Sequence, residues 1–119
     1  MKLTFPTRFA EILYAVAIAA FGILHLKYAA GYKPAVPSFM PGDAIIWVYI
    51  TGIGFLLAAV AILINKYKKT ACYLLALMLL VFILTIHLMP AINQGKFDQP
   101  LKDAGLAMAA IIIGNSSSK

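Results

Sequence analysis

The sequence predicts an all-α fold, an integral membrane four-helix bundle. Three observations carry that reading. Hydrophobic residues make up 63% of the 119 positions and charged residues 12%. The mean hydropathy is +0.92. The apolar residues also gather into long runs, separated by prolines, glycines and basic residues. A soluble domain carries about 45–50% apolar and about 25% charged residues. A chain this small has too much surface to hide such an excess from water, so a bilayer is the solvent that fits.

A spanning helix needs roughly 20 mainly apolar residues. Residues 9–26 supply the first, led by Lys2 and Arg8 and closed by Lys27. Residues 44–64 supply the second and contain no charge. Residues 71–89 supply the third, which Pro90 stops because proline cannot continue the hydrogen-bond ladder. The fourth, 101–117, has an unbroken apolar core only over 104–114 and then a serine-rich tail. It spans if Pro100 starts the helix and the serines complete it, or if the bilayer thins around it. Between these runs, residues 28–43 hold Pro34, Pro37, Pro41, Gly31 and Gly42, too punctuated for a helix. Asn65-Lys66-Tyr67-Lys68-Lys69-Thr70 reads as a tight basic turn, and 91–100 as a polar connection with Gly95 and Pro100 as breakers. The length fits one domain, 1–119.

Charge sets the expected orientation. Lys2, Arg8, Lys66, Lys68, Lys69 and Lys119 fall on one side, and Lys27, Lys33, Lys96 and Lys102 on the other. Six against four, with three of the six in one short turn, predicts a multi-pass protein of the cell inner membrane with both termini cytoplasmic. Tyr32, Phe39, Trp47 and Tyr49 near the outer boundary, and Phe5, Tyr67 and Tyr73 near the inner one, agree with the interfacial preference of amphipathic rings. The net charge of +6 then reads as topology signal and anionic-lipid contact, with no nucleic-acid partner. The first apolar run is too long for a cleavable signal and lacks a small-residue cleavage site, so it reads as a span. Cys72 is the single cysteine, so no intrachain disulfide or CxxC pair exists.

Small residues form stripes at spacings of four and three. In the first span Glu11, Ala15, Ala19, Gly22 and His25 share one face. Gly54, Ala58 and Ala61 do so in the second, and Asp103, Ala107, Ala110 and Gly114 in the fourth. The plain reading is close helix packing, with Gly22, Gly52, Gly54, Ala58 and Gly114 as contact points. The stripes are capped by ionisable groups. His25 and His87 close the first and third spans, and Asp43 and Asp103 open the second and fourth, so all four converge at the outer end. The repeated order of helix, histidine, loop, aspartate and helix hints at an internal duplication. Ionisable groups near a membrane are functional candidates. Against that stands the plainer account, an N-cap for each aspartate and a dipole-favoured interfacial site for each histidine.

Haem ligation by two histidines at a watery end without CxxCH is disfavoured. A zinc site would need the loops to fold inward, so no metal is expected. A quinone headgroup asks for less: an apolar, aromatic-lined cleft with one or two proton-exchanging hydrogen-bonding groups. His25, His87, Asp43, Asp103, Trp47 and Tyr49 are the candidate ligand-binding residues, and no catalytic residue is assigned. Glu11 lies about 21 Å from His25 along the helix, at the inner boundary, and its spacing of three from Arg8 suits an ion pair. No GxSxG, P-loop, GxGxxG or HExxH pattern occurs.

Phe21-Gly22-Ile23-Leu24-His25, Val36-Pro37-Ser38-Phe39-Met40-Pro41-Gly42 and Trp47-Val48-Tyr49-Ile50-Thr51-Gly52 together resemble the DoxX family of four-span membrane proteins. The resemblance continues through Met78 and His87-Leu88-Met89-Pro90 to Lys102-Asp103, and departs at the short, serine-ended fourth helix. It carries His25, Pro41, Gly42, Trp47, Tyr49, Thr51, Gly52, His87 and Pro90 over as family positions. The family takes its name from a subunit linked to quinone-reducing thiosulfate oxidation. Other relatives associate with membrane redox complexes, and distant animal members act as assembly chaperones. The resemblance therefore implies an accessory or quinone-linked subunit of a membrane redox assembly, its enzymatic status open. The rival expectations are a structural or chaperone-like bundle binding other membrane proteins or a second copy of itself, and a small transporter. The transporter is weakened by the lack of charged or broken-helix residues at mid-membrane.

Overall fold

Three apolar stretches become long helices because nothing inside them interrupts the backbone ladder. The structure, a computed structural model, describes residues 6–36, 38–87, 95 and 98–116. Every regular element among these residues is helical. Helix α1 is Thr7–Lys27, α2 is the short Ala29–Tyr32, α3 is Ala44–Ile64, α4 is Lys68–Phe82 and α5 is Asp98–Asn115. A 3-10 turn, Lys33–Ala35, follows α2, and a π-helical turn, Ile83–His87, continues α4. Thr7–Lys27, Ala44–Ile64 and Lys68–Thr85 are long and apolar enough to cross a membrane.

The helix ends follow local chemistry. Pro6, extended at φ −58° and ψ 125°, precedes α1, and its carbonyl accepts from the Ala10 N–H at 3.2 Å. Asp43 caps α3: its Oδ1 accepts from the Ile45 N–H at 3.0 Å, filling one of the orphan donors of a helix start. Asn65, left-handed at φ 59°, closes α3 as the asparagine type allows. Tyr67 is left-handed as well, at φ 56°, so two reversals within three residues turn α3 tightly into α4. Helix α5 begins at Asp98, five residues before Asp103. Asp103 therefore sits inside the helix, not at its opening.

Four contacts at one end fix how the long helices run. Arg8 donates from Nη1 to the Ile62 carbonyl and from Nη2 to the Leu63 carbonyl, both at 2.7 Å, which satisfies the last carbonyls of α3. Lys68, the first residue of α4, reaches Glu11 of α1, and Ser116, just past α5, reaches it too. The start of α1, the end of α3, the start of α4 and the end of α5 thus meet, and consecutive long helices are antiparallel. Helix α1 packs most closely on α3, and α4 on α5. Midway, the Tyr14 hydroxyl donates to the Leu106 carbonyl at 2.6 Å and ties α1 to α5.

Alanines share the interior with Ile18, Phe55, Ile62, Leu75 and Leu79. Ala15, Ala58, Ala59, Ala76, Ala107 and Ala110 are buried, while Leu57, Leu74, Leu84 and Ile112 point outward. Leucine and isoleucine side chains exposed on the outside, with many alanines among the buried residues, suit helices packed in an apolar solvent. The α1–α3 crossing is closest at Gly22 and Gly52. A Cβ on Gly22 would lie 2.8 Å from the Gly52 carbonyl oxygen, and one on Gly52 would lie 3.1 Å from that of Gly22. Gly114 lies under the Tyr73 ring, where a Cβ would come within 2.7 Å of Cε1, and the Tyr73 hydroxyl bonds Asn115 Oδ1. Gly54 differs: its Cβ would meet Met78 Sδ at an ordinary 3.5 Å. That glycine does not mark a close crossing.

Candidate functional site

Polar side chains concentrate at the two ends of these helices, in two different arrangements. At the end where the chain enters α1, Glu11 is 4% exposed and Lys68 is 7% exposed. Lys68 Nζ donates to both carboxylate oxygens of Glu11 at 3.0 Å, and Arg8 Nη1 donates to Oε1 at 3.2 Å. Ser116 Oγ adds a longer contact to Oε2 at 3.4 Å. The expected Arg8–Glu11 pair is present, but it belongs to a larger cluster. Lys68, read from sequence as one more basic turn residue, is buried in it. This end holds a buried ionic cluster and not only a basic turn.

At the opposite end the last turns of α1, the start of α3, the end of α4 and the start of α5 surround a cavity of about 280 Å³. Rings make up much of its wall: Phe21, Tyr32, Phe39, Trp47, Phe55 and Phe82. The chain between α1 and α3 folds back over the helix ends, so that Tyr32, Val36, Phe39 and Met40 line the space. His25 is held on three sides. Its Nδ1 lies 2.7 Å from the Phe21 carbonyl oxygen, Tyr32 stacks on the ring at 4.3 Å and 10°, and Phe55 lies 5.2 Å away, tilted by 59°. Trp47 Nε1 donates to the Pro41 carbonyl at 2.7 Å, which ties the loop down to α3.

Lys102 and Asp103 supply the charge in the wall. Lys102 Nζ lies 5.1 Å above the Phe21 ring centre, a cation–π distance, and 3.8 Å from Asp103 Oδ1. Asp103 is 4% exposed. The threonines add hydroxyls: Thr51 Oγ1 donates to the Trp47 carbonyl at 2.9 Å and Thr85 Oγ1 to the Val81 carbonyl at 2.7 Å. Such a space can hold a flat apolar ring and meet its polar edge with imidazole, ammonium and carboxylate.

Of the residues selected from sequence, the structure brings His25, Asp103 and Trp47 together in this wall. Asp43 and Tyr49 are outside it. Asp43 is an exposed cap, 3.6 Å from Lys33, and Tyr49 is exposed on the outer face of α3. The Ile45 N–H, and then the Lys33 ammonium, hold the Asp43 carboxyl below its ordinary value. The backbone of His87 ends the π-helical turn, and its side chain lies outside the described residues, as do Pro37, Leu88, Met89 and Pro90. Lys102, Phe21, Tyr32 and Phe55 were missed as site residues. The signal available for Lys102 was its place beside the candidate Asp103; Phe21 and Phe55 carried none, since apolar aromatics are ordinary in a span, and Tyr32 read only as an interfacial ring. Among the described residues no group of three or more His, Cys, Asp or Glu side chains is placed to hold a metal ion.

Fold and site together define a class: an all-helical protein with three helices able to cross a membrane and an aromatic cavity at one end of the helices. Residues 14–113 match the family described as "Domain of unknown function (DUF8561)". That span is most of the chain, and the chain belongs to this family. No curated protein matches it, and no solved structure does.

Proposed function

We propose that the chain is a DoxX-like four-helix protein of the inner membrane, an accessory subunit of a redox assembly, whose cavity binds the headgroup of a quinone-type lipid. The carrying observation is the cavity of about 280 Å³ that has aromatic walls, with His25, Lys102 and Asp103 in its lining. Ligand pockets start near about 300 Å³ and are mostly apolar with a few convergent polar groups; this one suits a single substituted ring. The fourth crossing is supported by α5 itself. Its 18 residues measure about 27 Å, and it runs from the cavity to the Glu11 cluster alongside α4. Cytoplasmic termini are supported by Arg8, Lys66, Lys68 and Lys69, all at the end opposite the cavity.

The single tryptophan lines the cavity, so quenching of Trp47 fluorescence by a short-chain ubiquinone analogue reports binding directly. Saturable quenching in lipid nanodiscs is expected. His25→Ala weakens it roughly tenfold, because it removes a ring from the cavity wall and leaves Tyr32 without the ring it stacks on. Quenching that does not saturate, or that is unchanged in His25→Ala, sinks the proposal.

A further inference from the structure

The hydrogen-bonding sense of the cavity wall can be read atom by atom. A carbonyl oxygen accepts and never donates, so the contact between His25 Nδ1 and the Phe21 carbonyl at 2.7 Å requires the proton on Nδ1. The neutral ring then has its lone pair on Nε2, and no described residue takes that atom. Three further donors are turned to the backbone. Trp47 Nε1–H goes to the Pro41 carbonyl, the Thr51 hydroxyl to Trp47 and the Thr85 hydroxyl to Val81. What these groups leave for a ligand is lone pairs: Nε2 and the two threonine oxygens. Tyr32 and Lys102 are the donors in the wall, and Lys102 is engaged with Asp103 and the Phe21 face.

A quinone brings carbonyl acceptors to this wall; its hydroquinone brings O–H donors. A buried acceptor set against another acceptor leaves both unsatisfied, whereas an O–H against Nε2 satisfies both. We infer that the cavity selects the reduced, hydroxyl-bearing ring, with His25 Nε2 accepting from one ligand hydroxyl. The inference rests on the reading of the cavity as a quinone-type site and adds the redox form it takes.

The test is a calorimetric titration of the full chain in nanodiscs at about pH 8, above the ordinary imidazole pKa of about 6.5. Three ligands share one trimethylated ring and short chain: the hydroquinone under argon, the quinone, and the hydroquinone dimethyl ether. The hydroquinone is expected to bind roughly tenfold tighter than either of the others. His25→Phe keeps a ring against Tyr32 but removes the acceptor, and is expected to bring all three within about threefold of one another. Equal binding of hydroquinone and quinone overturns the selectivity while leaving the site standing. A preference that survives in His25→Phe overturns the assignment to Nε2. If none of the three binds, the cavity reading falls and the inference with it. The comparison with the dimethyl ether needs no variant, so a poorly folded His25→Phe protein does not rescue the idea.

Discussion

The two ends of the helices use polar residues in opposite ways. At the charged end, Glu11 and Lys68 are nearly as buried as the alanine core, and both carboxylate oxygens of Glu11 are held by neighbouring side chains. At the cavity end, rings stand around an open space, and the hydrogen bonds of Trp47, Thr51 and Thr85 return to the backbone. A buried charge is costly unless its partners are in place, so the first arrangement is tolerated only because it is complete. The second leaves room that tighter packing would have removed. The difference teaches where to look for function. Complete polar clusters hold helices together, and the ring-lined space is where we propose that a ligand binds.

Removing Glu11 tests the charged end most severely. Glu11→Ala leaves Lys68 buried without its carboxylate and is expected to cost about 3–5 kcal/mol, read as a lower midpoint of detergent-driven unfolding by circular dichroism. Glu11→Leu combined with Lys68→Met removes both charges and should recover much of the loss. A single substitution costing under about 1 kcal/mol would make the pair no more than a surface salt bridge.

The next effect lies toward the cavity. Gly22→Ala places a methyl 2.8 Å from the Gly52 carbonyl oxygen, and backbone yields poorly, so about 1–3 kcal/mol is expected. Because Gly22 is one turn from His25, quinone-analogue affinity should fall with it. Gly54→Ala, facing Met78 Sδ at 3.5 Å, should stay within about 0.5 kcal/mol in the same assay. Equal costs at the two glycines would remove the close crossing from the account.

The smallest effect belongs to Asp43. Its carboxyl is held below the ordinary value of 3.8 by the Ile45 N–H and then by Lys33. A depressed folded-state pKa means that its stabilisation is present above pH 3.8 and is lost as the pH falls through the lower folded value. Thermal midpoints followed from about pH 6 to about pH 2.5 should fall slightly less steeply in Asp43→Ala than in the wild type. An identical slope would show that the cap contributes no acid-sensitive stability.

What was legible in the sequence was what neighbours in the chain decide. The limits of α3 coincide with the uncharged run 44–64, and the spacing of Arg8 and Glu11 announces their pair. Asp43 and Asp103 look alike in sequence, each ahead of an apolar run, yet one is an exposed cap and the other is buried in the cavity wall. Their difference comes from where α5 begins, and polar residues 98–103 hide that start. Lys68 was illegible for a related reason. Its burial depends on a carboxylate 57 positions away, and no local pattern reports such a partner. The aromatic wall was partly visible through Trp47 and His25. The contribution of Tyr32, Phe39 and Met40 required knowing that a proline-rich connection folds back over the helix ends.

The Glu11 cluster also has a consequence in time. Glu11 leaves the ribosome 57 residues ahead of Lys68, roughly 3–11 s at ordinary rates of synthesis. During that interval its carboxylate has Arg8 beside it and no second cation from α4. The α1–α3 pair has contacts of its own, Gly22 against Gly52 and Arg8 on the end of α3, and the residues that Arg8 holds are made just before Lys68. Lys68 at the start of α4, and last Ser116, complete the set of partners of Glu11.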